Sequence, residues 1–348
     1  MNVVDVRANR LMVSVDWLSF TAKGFHSPEK LIEYLGMDAS SFSKMPKGAE
    51  GYKSMLRHVC ESVRILYDGS EDMGIHVEIT SQSVSYALEC FKSSKRCSTP
   101  FGIGYDIPPE YADERLMIYY LECIREISDI ARLDVAIDDL GASYFTVPEV
   151  QHLIETGHLV SPWRRTSSII QRDVSTGMVT GNTCYIGSRK SDIMLRVYDK
   201  GLEQKASYPW VRWELEIKHD RALAFVDELK KFSCFGDAAL GLLSRYVRFI
   251  EHDNPHRSRC SMNETWRAFL DSVRPLRLSI IKKEPSVERS SEWVKKQVAP
   301  TLAGLLVSHR GDYGKFLDSL KLPEQFQRLS LERQDMFMRA GIRQGGKE

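Results

Sequence analysis

The amino-acid sequence predicts an α+β protein: a mostly antiparallel sheet followed by a helical C-terminal region. Strand-like runs with period-two alternation recur through the first 220 residues. Several of them have hairpin-like neighbours, which favours antiparallel pairing over a regular βαβ array. Beyond residue 220 the spacing turns helical. The expected division is a strand-rich region over 1–220 and a helical region over 221–348, with no internal repeat or low-complexity tract in either.

In chain order, Leu11 to Thr21 (LMVSVDWLSFT) is β-branched and aromatic, as a strand requires. Residues 28–36 and 53–60 read as short amphipathic helices around a Ser/Gly/Lys-rich loop. Strands follow at 62–67 (SVRILY) and 74–80 (GIHVEIT), separated by the turn-forming DGSEDM. In the second, His76, Glu78 and Thr80 share one face. From Pro109 to Ile130 the spacing of Leu116, Tyr119, Tyr120, Cys123, Ile124 and Ile127 is helical, leading into a strand at 131–140 (ARLDVAIDDL). Thr146-x-x-Glu149 is a capping box, with Pro148 in the first turn and Gly157 closing the helix. A basic loop carries Arg164, Arg165 and Arg172. Two strands joined by a basic turn then span Thr183 to Lys200, and VRWELEIK forms a strand at 211–218. Helices are expected at 221–232, 238–252, 262–273, 290–309 and 330–340.

Composition excludes several classes. With 48 basic and 47 acidic residues the net charge is +1, so a nucleic-acid surface must be a local patch. Seven cysteines without a C-x-x-C favour reduced thiols over a disulfide framework or a zinc ribbon. No run approaches the ~18 apolar residues of a membrane span, and MNVVDVRANR lacks the uninterrupted apolar core of a signal peptide, so cytoplasm without a membrane partner is the expected location. There is no G-x-x-x-x-G-K-[ST] loop and no G-x-S-x-G elbow.

The chemistry gathers on three strands. Arg196, Tyr198 and Lys200 are spaced by two and so share a strand face. Fourteen tyrosines occur in the chain and most serve packing, but nearby cations or a metal favour the phenolate a nucleophile needs. Asp134 and Asp138 share a face of their strand, as do Glu214 and Glu216 of theirs. An oxygen-loving divalent ion would relieve that repulsion, while a solvated face neutralised by Arg212 and Lys218 explains the pattern equally well.

The order RLDVAIDD, YIGSRKSDIMLRVYDKGLEQ, VRWELEIK resembles the rolling-circle replication initiators of Gram-positive plasmids, a family shared with some filamentous phage initiators and conjugative-element relaxases. The resemblance covers residues 130–220 well and the N-terminal strands loosely. It implies that Tyr198 attacks a phosphodiester in a single-stranded or extruded segment of origin DNA. The products would be a 5′-phosphotyrosine and a 3′-hydroxyl that primes a polymerase, with later rejoining. Arg196 and Lys200 would stabilise the transition state, and Asp134, Glu214, Glu216 and, less directly, Asp138 would hold Mg²⁺ or Mn²⁺. Unwinding would fall to a host helicase. The resemblance implies either a replication initiator, a conjugative relaxase of the same chemistry, or a non-catalytic origin-binding protein or repressor.

Two departures stand out. The His-hydrophobic-His motif of the wider class of nicking enzymes is absent, and His76 of His76-Val77-Glu78 reads as a structural strand residue. No second tyrosine lies one helical turn from Tyr198, so termination calls for a homodimer or a hydrolytic Glu. His256-Arg257-Ser258-Arg259 with Tyr313 fits the short H-x-x-R pattern of tyrosine recombinases without that family's context. Basic groups at Lys92, Lys95, Arg96, at Arg164, Arg165, Arg189, Lys190, and at Arg257, Arg259, Arg274, Arg277, Lys282, Lys283 are candidate phosphate contacts. Trp163 and Trp266 either stack bases or pack. The helical C-terminal region is expected to bind DNA or dimerise.

Overall fold

The computed structural model describes residues 4–5, 11–80, 82–94, 112–270, 286–329 and 333–339, in two compact units, Met1–Ile280 and Ile281–Glu348. Lys95, Arg96, Arg274, Arg277, Lys282 and Lys283 lie outside the described residues.

Alternation dictates the first unit. The strands are β1 (Val4–Asp5), β2 (Leu11–Ala22), β3 (Phe42–Lys44), β4 (Ser54–His58), β5 (Val63–Tyr67), β6 (Ile75–Thr80) and β7 (Ser128–Leu140). They continue with β8 (Leu159–Val160), β9 (Thr166–Arg172), β10 (Val179–Ile186), β11 (Ile193–Asp199), β12 (Trp210–Lys218) and β13 (Arg248–Phe249). One 11-stranded sheet runs β3-β4-β5-β6-β2-β7-β12-β11-β10-β9, with β1 on β2. Every pairing in it is antiparallel. β8 and β13 form a separate two-stranded ribbon.

The helices of this unit are α1 (Pro28–Tyr34), α2 (Gln82–Ser93), α3 (Ala112–Ile127), α4 (Val147–Glu155), α5 (Lys200–Gln204), α6 (His219–Leu229), α7 (Phe235–Tyr246) and α8 (Glu264–Leu270). Leu133, Val135 and Ile137 of β7, Leu195 and Val197 of β11, and Trp213, Leu215 and Ile217 of β12 share one face. They enter a single core with Leu121, Val150, Phe225 and Leu243 of α3, α4, α6 and α7. Removing that apolar area from water is the main stabilising contribution. Phe145, Trp213, Phe249, Trp266 and Phe269 pack ring against ring, tying α8 to β12. Trp266 is therefore core, not a base-stacking surface. The compact unit continues past residue 220 because α6, α7 and α8 supply part of the sheet's own core; the change at 220 is one of secondary-structure content.

The α4 start follows its sequence: Thr146 and Glu149 make both bonds of the capping box, and Gly157 at φ +78 takes the left-handed turn after the helix. Four local readings are corrected. Residues 53–60 form no helix: Leu56 pairs with Ile65 as β4, so cross-strand burial overrides a helix-like spacing of Met55, Leu56 and Val59. Residues 166–172, read as basic loop, are the edge strand β9. The expected 238–252 helix stops at Tyr246, where β13 pairs with β8. The 290–309 helix is interrupted by a π-helical turn, Val294–Val298.

The second unit is helical: α9 (Val287–Trp293), α10 (Ala299–Ser308), α11 (Tyr313–Leu320) and α12 (Leu322–Gln327) flank that turn. Among the described residues no helix is long and apolar enough to cross a membrane.

Candidate active site

The face of the sheet opposite the core carries charge. Cross-strand partners in an antiparallel ladder point the same way, so register alone assembles the site. Tyr198 faces Arg212, Arg196 faces Glu214, and Met194 faces Glu216 across β11 and β12. One strand further, Arg212 faces Asp138, Glu214 faces Ala136, and Glu216 faces Asp134 across β12 and β7. The acidic faces of β7 and β12 and the tyrosine of β11 are therefore one continuous surface.

Tyr198 is only 7% exposed, and its hydroxyl donates to Oε2 of Glu214 at 2.9 Å. The other oxygen of Glu214 accepts from Arg196, whose guanidinium lies 5.2 Å from the centre of the Tyr198 ring. Burial, reinforced by the Glu214 charge, pushes the phenol up from its ordinary value, outweighing the opposing pull of Arg212 and Arg196. The cations thus do not hold a free phenolate, contrary to the sequence expectation; the phenol is held protonated against a carboxylate. That is the arrangement of a nucleophile with its base.

Lys200 does not continue the strand. β11 ends at Asp199, whose side chain caps α5 by accepting from the Leu202 N–H at 2.8 Å. Lys200 opens that helix, yet its Nζ still sits 5.5 Å from the Tyr198 ring centre and pairs with Glu203 at 2.6 Å.

The four candidate metal carboxylates divide. Asp138 is committed to Arg212, which binds it in bidentate fashion at 2.7 and 2.8 Å, and it also accepts from Trp210 at 2.7 Å. Arg212 reaches on to Asp16 at 2.5 Å. Asp134 and Glu216 share Arg132 at 2.5 and 2.9 Å, and Glu216 also pairs with Lys218. Asp134 is 1% exposed. Burial raises its carboxyl to about 7 despite Arg132, and the charges of Glu214 and Glu216 add to the rise. Asp134 and Glu216 share one arginine, while Glu214 has Arg196.

Among the described residues, the set of ligand atoms lying within 4.8 Å of one another is elsewhere, at Glu50, His76 and Glu78. The Asp134, Glu214 and Glu216 oxygens are instead paired with Arg132 and Arg196. Arg64 already bridges Glu50 and Glu78 in the outlying group, and Thr21 Oγ1 lies 2.9 Å from His76 Nδ1. Four strand spacings of ~4.8 Å separate β6 from β11, and the register sets His76 and Glu78 several residues along the sheet from the Tyr198–Arg212–Asp138 row, so that group stands more than about 19 Å from Tyr198.

Sequence reading missed the structural weight of Arg212, Arg132 and Asp16. Arg212 was visible as one more charge on an alternating strand, but only the β7–β12 register reveals its partner. Within His256-Arg257-Ser258-Arg259, Arg257 donates to the Gly157 and Leu159 carbonyls at 2.6 Å, tying down the α4–β8 connection. Trp163 stacks on Tyr246 with ring centres 4.6 Å apart.

Comparison with known proteins adds three findings. The profile of the replication initiation factor family matches residues 128–320, from the start of β7 to the end of α11. A curated relative, the putative DNA relaxase NicK of Bacillus subtilis (strain 168), is 26% identical over 310 residues, covering 85% of this chain and 81% of that protein. The solved structure of a rolling circle replication initiator protein from Geobacillus stearothermophilus superposes with a TM-score of 0.62 at 26% identity, over 78% of this chain and 99% of that one.

Proposed function

The chain belongs to the replication initiation factor family, and from that premise we propose that it nicks and rejoins one strand of origin DNA through Tyr198. The observation that carries this reading is the Tyr198 hydroxyl bonded at 2.9 Å to the buried carboxylate of Glu214, on a face lined by Arg196, Arg212 and Lys200. Tyr198 Oη attacks the phosphorus of one phosphodiester while its proton passes to Glu214 Oε2. The bond to the 3′ oxygen breaks, that oxygen takes a proton from solvent, and the 5′ phosphate stays esterified to the tyrosine. Rejoining is the reverse: the 3′-hydroxyl attacks the phosphotyrosine, and Glu214 returns the proton to the phenolate. Arg196, with its side chain 36% exposed, and Lys200 supply positive charge to the pentavalent phosphorus as it forms.

A divalent ion, Mg²⁺ or Mn²⁺, would supply Lewis-acid charge at the phosphate when bound. Asp134 and Glu216, with Glu214 beside them, fit such a hard cation by donor type, and a cation there would offset the mutual repulsion of the three carboxylates. Asp138 stays with Arg212, and Glu50, His76 and Glu78 are too distant to serve this phosphate.

The remaining roles follow from the product. The 3′-hydroxyl primes a host polymerase, and a host helicase unwinds, since the sequence carries no phosphate-binding loop for ATP. A homodimer would supply a second Tyr198 for termination. The similarity to the putative relaxase NicK favours a second reading, the same chemistry in conjugative transfer. The test is Tyr198→Phe on supercoiled origin DNA: nicking by the wild type and none by the variant supports the reading, whereas nicking with protein attached in the variant overturns it.

A further inference from the structure

Beside the candidate nucleophile the sheet offers more surface than cutting one bond requires. Tyr185 of β10 faces Arg196, and Thr183 faces Tyr198, so Tyr185 is a diagonal neighbour of Tyr198 on the charged face. Its ring is half-buried. The Arg189 guanidinium sits 4.9 Å from the ring centre and donates to the hydroxyl at 2.9 Å. The turn bearing Arg189 is fixed from two sides. Gly187 adopts φ +104, and a Cβ there would press on Trp163 Nε1 at 3.2 Å. Lys218 of β12 donates its Nζ to the Arg189 carbonyl at 3.2 Å and its backbone N–H to the Asp192 carbonyl at 2.7 Å.

The same face runs outward onto β9, where Ser167 faces Tyr185 and Ile169 faces Thr183. All of β9 is exposed, and Ile169 is 47% exposed. Between residues 161 and 192 the charges are Arg164, Arg165, Arg172, Arg189 and Lys190 against Asp173 and Asp192. Asp173 is engaged in its own turn, accepting from the Ser175 and Thr176 N–H groups. An aromatic ring, an aliphatic ring neighbour and surplus cations in line with a buried phenol match an unpaired nucleic-acid strand. Because Tyr198 is 7% exposed, the phosphate must reach in between side chains.

We propose that the β9–β10 ribbon is a single-strand subsite: Tyr185 stacks on a base next to the cleaved phosphate, Ile169 packs on the following base, and Arg189 and Lys190 meet the phosphates. The proposal rests on Tyr198 being the nucleophile, and it adds where the flanking strand lies. Stacking tolerates any base, so the probe is a fluorescein-labelled oligothymidylate of roughly 12 nucleotides, measured by anisotropy with the full chain in chelator, without cleavage. Tyr185→Ala is expected to weaken binding about 5- to 160-fold, the range for one lost stack, while Tyr185→Phe stays within about twofold. Tyr185→Ala leaves the slope of log affinity against log salt unchanged, whereas Arg189→Gln lowers it by about 0.7. Ile169→Ser, an exposed change that spares the fold, is expected to cost about threefold or more.

Affinity of both Tyr185→Ala and Ile169→Ser within twofold of wild type, at unchanged circular dichroism, overturns the proposal. Equal loss in Tyr185→Ala and Tyr185→Phe also overturns it, since the hydroxyl bond to Arg189 would then be the only role of the residue. Should Tyr185→Ala fail to fold, Ile169→Ser and Tyr185→Phe decide. If Ile169→Ser leaves affinity intact but converts a sedimenting dimer to monomer, the ribbon is a protein interface and the proposal fails. Tyr198→Phe is expected to bind this probe normally, so an error about the nucleophile would surface in nicking and an error about the subsite in binding.

Discussion

Replacing Glu214 by Gln separates the two jobs a carboxylate in this position could do. In the structure it accepts a hydrogen bond from the Tyr198 hydroxyl at 2.9 Å with one oxygen and engages Arg196 with the other. Gln keeps the shape and can still accept a hydrogen bond, so Tyr198 remains positioned, but it takes no proton. Loss of a general base costs roughly 10²- to 10⁴-fold, or about 3–5 kcal/mol of barrier. The fold should change little, by about 1 kcal/mol, because Arg196 is partly exposed and can turn to solvent. The assay is single-turnover nicking of supercoiled origin plasmid across pH, with thermal unfolding alongside. The variant is expected to lose the base-dependent rate at neutral pH and to regain activity as pH rises, when hydroxide removes the phenolic proton directly. Raising the divalent ion to saturation should not restore it. Nicking within threefold of wild type, or full rescue by excess metal, refutes the role as base; rescue by metal makes Glu214 a ligand.

Three further outcomes follow from the geometry. Arg212→Gln leaves Asp138 buried without its bidentate partner and should destabilise the fold by about 3–5 kcal/mol in denaturant unfolding, with Asp138→Asn in the same chain recovering part of the loss. At Glu78, burial pushes the carboxyl up, but His76 and Arg64 outweigh it and hold the value at about 2. The folded value lies below the unfolded one, so this stabilisation is complete above about pH 4.5 and is lost as pH falls toward 2; the gap of at most about 3 kcal/mol between wild type and Glu78→Gln should close over that window in unfolding measured against pH. His76→Ala should leave chelator-sensitive nicking within about twofold of wild type, since that group stands more than about 19 Å from Tyr198; loss of the metal response in this variant would move the metal site to Glu50, His76 and Glu78.

Strand alternation made the charged faces of 131–138, 196–198 and 211–218 legible, because period two assigns a face to each residue without any tertiary knowledge. Their assembly into one surface was not legible, since strand order β7-β12-β11 and register are set by long-range pairing. The same gap hid Arg212, which looks like surface charge until Asp138 is placed opposite, and the burial of Tyr198 against Glu214, which keeps protonated a phenol expected as phenolate. The edge strand β9 was missed because its exposed mixture of Thr, Ser and Ile carries no buried-face pattern. Residues 53–60 were misread because a three-residue apolar coincidence fits a helix as well as a strand. The capping box at Thr146 succeeded because it depends on neighbours in sequence alone.

The central claim, covalent nicking by Tyr198, is tested most directly by trapping the protein on nicked origin DNA, digesting the adduct and sequencing the modified peptide by mass spectrometry. The account predicts a 5′-phosphonucleotide on Tyr198 in the peptide containing Val197 and Asp199, with a free 3′-hydroxyl at the nick. An adduct on another tyrosine, or one joined through the 3′ phosphate, contradicts it.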